Sequence, residues 1–169
     1  MNAQEDKGST PRKNPTAVER RSDRELVTTR AFDAPVRLVF QAWTTPSLFQ
    51  RWWVPKSFGL TLLSYDAEIR VGGKYRLVFG HPEAPEPMAF FGTYLEVVQN
   101  SRLVWTNEEG GESGQVTTVT FEERDGQTLV EVTDLYPSKE ALDEAIATES
   151  TGALPLQFEQ LDEILAEEA

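Results

Sequence analysis

Residues 32–53 read FDAPVRLVFQAWTTPSLFQRWW, and the change of period around this stretch decides the fold. Glu25 to Phe32, leading into it, is rich in β-branched residues and partly alternating, which predicts a strand. Val36, Val39, Phe40 and Trp43 then fall at i, i+3, i+4 and i+7, one face of a short helix. Asp33 supplies a capping carboxylate, and Pro35 sits in the first turn, where its missing N–H does no harm. A second short helix restarts with Thr45 as cap and Pro46 at the first helical position. Its apolar face is Leu48, Phe49 and Trp52, and Pro55 ends it.

Downstream the period falls to two. Leu60 to Ile69 is a strand, and Gly72-Gly73 turns it into Lys74 to Phe79. Three prolines make His81 to Pro87 a loop. Met88 to Val98 follows, turning at Asn100-Ser101 into Arg102 to Asn107. Gly110, Gly111 and Gly114 mark a loop before Gln115 to Glu123, and Asp125-Gly126 is a hairpin turn into Thr128 to Leu135. Ser138 caps a short helix over Lys139 to Ala147, which Thr151-Gly152 interrupts. Leu154, Phe158, Leu161 and Leu165 then give one apolar stripe on a final helix, with Pro155 tolerated near its start.

The order is one strand, two short helices, about six strands and a long C-terminal helix. This is an α+β helix-grip architecture: a curved antiparallel sheet of about seven strands around the last helix, plugged at one end by the helical pair. A sheet gripping one helix rarely closes without a space, so a cavity is expected between them.

Upstream, residues 1–22 are polar throughout and lack the apolar area to offset ordering entropy. They are expected to be a disordered tail ahead of a single domain over 23–169. The chain carries a net charge of -12, and Ser138 to Ala169 contains one lysine against nine acids. Nucleic-acid binding needs a basic face, so that class is excluded. No apolar run is long enough to span a membrane, the N-terminus lacks an apolar signal-peptide core, and early Glu5 and Asp6 argue against a transit peptide. With no cysteine there are no disulfides and no thiolate chemistry. A cytoplasmic protein without cofactor or metal is the expectation.

Several motifs resemble the SRPBCC (START-like) superfamily, which shares the fold of the birch-pollen allergens. The chain looks most like the branch related to the C-terminal domain of the heat-shock ATPase activator. Phe32 to Pro35, Val39-Phe40 with Ala42-Trp43-Thr44 and Pro46, and Trp52-Trp53 carry the likeness. Arg70 with Gly72-Gly73 and Tyr75-Arg76, Gly92 with Tyr94 and Glu96-Val97, Arg102-Leu103-Val104 with Thr106, Val119 to Phe121, and Leu161-Asp162 with Leu165 continue it. The resemblance implies an apolar ligand held between sheet and last helix. One departure concerns that helix: related sequences often read Gly-Trp ahead of the Leu-Asp motif, where this chain has Leu156-Gln157.

Trp43 and Trp52 lie on apolar faces and read as core. Trp53 lies off the second helix's face beside Pro55, near the expected cavity mouth. Phe58, Tyr75, Tyr94, Trp105, Leu154, Phe158 and Leu161 are the other ligand-binding candidates, and alternation admits only one of Phe90 and Phe91 to the interior. Asp66 and Glu68 share a strand face, as do Tyr94 and Glu96, so Asp66, Glu68 and Glu96 are the candidate polar cavity groups; solvent-facing strand residues are the plainer alternative. His81 reads as a loop histidine, no triad motif is present, and Gly72-Gly73 lacks the helix and lysine of a phosphate loop. Three readings follow. The first is binding of a small apolar or aromatic molecule. The second is a cyclase, dehydratase or hydrolase acting on a cavity-bound aromatic or polyketide-like substrate. The third is a chaperone-interacting module.

Overall fold

The computed structural model describes residues 14–83, 85–108, 114–147 and 153–168. Eight strands form one antiparallel sheet: β1 (Ala17–Arg20), β2 (Glu25–Phe32), β3 (Thr61–Ala67), β4 (Lys74–Gly80), β5 (Met88–Val98), β6 (Arg102–Asn107), β7 (Gln115–Arg124) and β8 (Gln127–Leu135). Their order is β1-β2-β8-β7-β6-β5-β4-β3. Helices α1 (Val36–Thr44) and α2 (Pro46–Trp53) carry the chain from β2 to the far edge strand β3, and α3 (Lys139–Ala147) and α4 (Ala153–Glu168) end it. The helix-grip reading is therefore correct in class, with one strand more than expected.

That strand is β1. Ala17 to Arg20 pair with Leu26 to Thr29, so the expected boundary at Asp23 falls too late. All four side chains of β1 are exposed, and no apolar pattern marks it. Backbone pairing holds it, Arg20 reaches Asp143 at 2.7 Å, and Arg21 reaches Glu131 at 3.2 Å. A short, charged edge strand also discourages further pairing at that edge. Residues 1–13 of the expected tail, the Gly110-Gly111 loop and the Thr151-Gly152 break lie outside the described residues.

Capping departs from expectation at α1. Asp33 accepts from Gln127 and Asn14 rather than from the helix. The Val36 N–H instead donates to Glu123 Oε1 of β7 at 2.8 Å, which ties the helix start to the sheet. Pro46 occupies the first turn of α2, and Ser138 Oγ accepts from Ala141 N at the start of α3. Asp125 and Gly126 both have positive φ (54° and 81°), the backbone that a two-residue hairpin requires.

The core lies on the concave face. Trp43, 2% exposed, is its hub, with ring contacts to Trp52, Phe121 and Phe158 at 4.9, 5.9 and 6.5 Å. Helix α4 packs against α1 and α2, and Phe158 meets Phe32 of β2 edge-on at 5.2 Å. No described helix is long and apolar enough to cross a membrane.

Candidate functional site

Between the concave face, the end of α2 and the start of α4 lies a cavity of about 510 Å³. This is within the range of small-molecule pockets. Alternation along β4 turns Tyr75, Leu77 and Phe79 inward, and their partners on β5 are Gly92, Phe90 and Met88. Phe90 therefore faces the cavity, while Phe91 lies opposite outward-facing Arg76. Gly92 has a specific reason to lack a side chain: a Cβ there would sit 1.9 Å from the Thr106 carbonyl oxygen and 2.8 Å from the Tyr75 ring. That close approach lets the Tyr75 hydroxyl donate to the same Thr106 carbonyl at 2.8 Å.

Of the sequence candidates, Trp53, Phe58, Tyr75, Tyr94, Trp105 and Leu154 line the cavity. Phe58, Met88 and Phe90 stand at its mouth, 43%, 38% and 38% exposed. Trp53 stacks on Phe49, with ring centroids 4.7 Å apart. Phe158 and Leu161 do not line it. Both are fully buried, Phe158 wedged between Phe32 and Trp43, so they fill the core beside the void.

The acidic candidates do not reach the cavity. Asp66, Glu68 and Glu96 are exposed; Glu68 pairs with Arg70 at 3.1 Å, and Glu96 with Arg102 at 2.9 Å. One device displaces them all. On β3 the register shifts between Leu62 and Ser64, so Leu62 and Tyr65 both face inward opposite Phe79 and Leu77, while Asp66 lies opposite Arg76. On β5 a shift between Tyr94 and Glu96 turns Val97 inward in place of Glu96. Each β-bulge reverses the alternation beyond it.

The carboxylate that does reach the cavity is Asp134, which the sequence reading passed over. Thr128, Val130 and Val132 are buried on β8, and the same alternation carries Asp134 inward. Asp134 pairs in register with Thr117, Thr117 with Trp105, and Trp105 with Tyr94, one row across four strands. Thr117 Oγ1 donates to Asp134 Oδ1 at 2.6 Å, and Asn107 Nδ2 donates to Thr117 Oγ1 at 2.9 Å. Tyr75 donates to Asn107 Oδ1 at 3.3 Å. Burial pushes the Asp134 carboxyl above the ordinary carboxylate value, against hydrogen bonds from Thr117 and Gln115 that pull it down. Burial also raises Tyr94, and it pushes Tyr65, hydrogen-bonded to Tyr94, up to about 12. Both phenols are therefore neutral proton donors at physiological pH.

The sign of the Asp134 effect can be tested on stability. With its folded value raised, the native state holds a proton more tightly than the unfolded chain does, so stability is fullest at acid pH and falls as pH rises through the folded value. Asp134→Asn removes that penalty. The variant is expected to have a higher urea midpoint than wild type at pH 7, with unchanged slope, and the gap should close towards pH 4. A midpoint below wild type at pH 7 would contradict this account.

Among the described residues no group of three or more His, Asp or Glu side chains could hold a metal ion. His81 lies in its loop, with Nδ1 accepting from Glu83 N at 3.0 Å. On α4, Gln157 lines the cavity and donates to the Trp53 carbonyl, and Gln160 donates to the Val54 carbonyl at 2.8 Å. The Gln157 half of the departure at Leu156-Gln157 therefore falls on the cavity wall, while Leu156 is exposed.

Similar folds occur in several bacterial proteins. A Rhodobacter sphaeroides structure matches with a TM-score of 0.81 at 22% identity, covering 90% of this chain and 99% of that one. A Nitrosomonas europaea structure matches at 0.77 and 21% identity, covering 87% and 97%. A Mycobacterium smegmatis structure matches at 0.76 and 24%, covering 92% and 100%. These likenesses speak for the fold alone. Among curated protein sequences none matches. The family model described as "Activator of Hsp90 ATPase homolog 1-like protein" matches residues 33–166, nearly the whole helix-grip domain, and the chain belongs to that family.

Proposed function

We propose that this protein binds one small apolar or aromatic molecule in the cavity between sheet and α4. The observation that carries this is a void of about 510 Å³ walled mainly by aromatic and aliphatic side chains, with a few polar groups among them. Binding sites for small molecules have this composition. Titration with 1-naphthalenemethanol, followed by tryptophan fluorescence, tests it, because Trp43, Trp53 and Trp105 all line the void. A saturable change at one equivalent is expected. No saturable change at the solubility limit of the alcohol would sink the reading.

An enzyme is the second reading, and Asp134 is the observation in its favour. A half-buried carboxyl with a raised proton affinity that lines an apolar cavity has the character of a general acid or base. The family's name refers to activation of a heat-shock ATPase. Because the convergent side chains here face the cavity rather than an outer surface, a ligand ranks above a chaperone contact.

A further inference from the structure

Across the sheet the cavity's polarity is one-sided. Its apolar wall runs from Phe58, Met88 and Phe90 at the mouth to Trp105 and Tyr94, its polar end is Asn107, Gln115, Thr117 and Asp134, and Gln157 adds an amide from α4. Asp134 is the one carboxylate among the described lining residues, and no lysine, arginine or histidine joins it there. The hydrogen bonds at that end have a direction. Asn107 donates to Thr117, and Thr117 donates to Asp134. These donors oppose the pull of burial towards the neutral acid. A half-buried carboxylate with no cation among the described lining residues is then the group that an incoming cation stabilises most.

Resting on the ligand reading above, we infer that the ligand is an aromatic amine-bearing molecule whose protonated nitrogen pairs with Asp134 while its ring body lies against Trp105 and Tyr94. The spacing fits. Asp134, Thr117, Trp105 and Tyr94 stand in register on four consecutive strands, so Trp105 is two strands from the carboxylate, or roughly 10 Å. An ammonium group has three donors to satisfy. Asp134 takes one, and the side chains of Asn107 and Gln115 border the same end of the cavity. An anionic head group would meet a like charge there with no lining cation, so fatty-acid-like ligands are disfavoured.

The test is calorimetric titration with three probes that share one ring: 1-naphthylmethylamine, 1-naphthalenemethanol and 1-naphthoate. Salt at physiological strength limits general attraction of cations to a protein of net charge -12. The amine is expected to bind at least about tenfold tighter than the alcohol, and the carboxylate more weakly than either. In Asp134→Asn the amine's advantage is expected to vanish while the alcohol still binds, which also shows that the variant is folded. Equal binding of all three probes to wild type would overturn the amine assignment and leave the apolar cavity standing. So would an amine preference that persists in Asp134→Asn. Failure of every probe to bind would overturn both.

Discussion

Replacing Arg30 with methionine is expected to lower the unfolding free energy by about 3–5 kcal/mol and the melting temperature by roughly 10 °C. Arg30 sits on β2 with its side chain 2% exposed. Each of its three guanidinium nitrogens donates a hydrogen bond. Nη2 reaches Asp162 Oδ2 on α4 at 2.6 Å, Nη1 the Phe158 carbonyl at 3.1 Å, and Nε the Asn14 carbonyl at 2.9 Å. Its Cζ also lies over the Phe32 ring, 4.7 Å from the centroid. Methionine keeps much of the volume but strands Asp162 beside apolar surface with no counter-charge. The double variant Arg30→Met, Asp162→Leu separates ion pairing from packing. It is expected to recover most of the loss, since replacing both members of a buried pair is far milder than removing one. A single variant within about 1 kcal/mol of wild type would show the pair to be ornamental. The Leu161-Asp162 motif thus has a mechanical meaning: it fastens the gripping helix, and with it Leu154 and Gln157, to the sheet.

That fastening was not legible in the sequence, although the elements it joins were. The three-four spacing of Val36, Val39, Phe40 and Trp43 and the two-residue alternation of Tyr75, Leu77 and Phe79 are local patterns, and the structure follows them. What failed was phase. Counting by twos from Leu62 places Asp66 and Glu68 inside, and counting from Tyr94 places Glu96 inside. One extra residue on each strand, Leu63 and Leu95, undoes both counts. A bulge depends on how a strand meets its neighbour, and a single strand's pattern does not contain it. Strand β8 has no register shift, so its alternation from Thr128 through Val132 leads straight to Asp134. The signal was present there, but the sequence reading weighed only the acids of β3 and β5. On α4, the apolar stripe identified the helix but not the boundary between filler and wall. Phe158 is filler only because Phe32 and Trp43 arrive from distant parts of the chain to enclose it.

Gln157→Trp is expected to abolish binding at the cavity, weakening the naphthyl alcohol at least about thirtyfold, or about 2 kcal/mol. Gln157 is 6% exposed, lines the void from α4 and anchors to the Trp53 carbonyl. An indole at this position projects from the same helical site into the space that the probe needs. Stability decides whether lost binding means a filled cavity or a damaged fold. Overpacking a filled core costs about 1–3 kcal/mol, but an apolar ring entering an existing void gains contacts that the wild type lacks. The melting temperature of Gln157→Trp should therefore hold or rise while affinity collapses. Gln157→Leu is the necessary companion. It removes the bond to Trp53 without filling the space, so it should bind the alcohol within about threefold of wild type, a difference under 1 kcal/mol. Undiminished binding by Gln157→Trp would place the ligand elsewhere on the protein, and equal loss in both variants would assign the effect to the Trp53 anchor. Relatives that carry tryptophan here would enclose a smaller space on the same fold, because position 157 lies on the wall of the void.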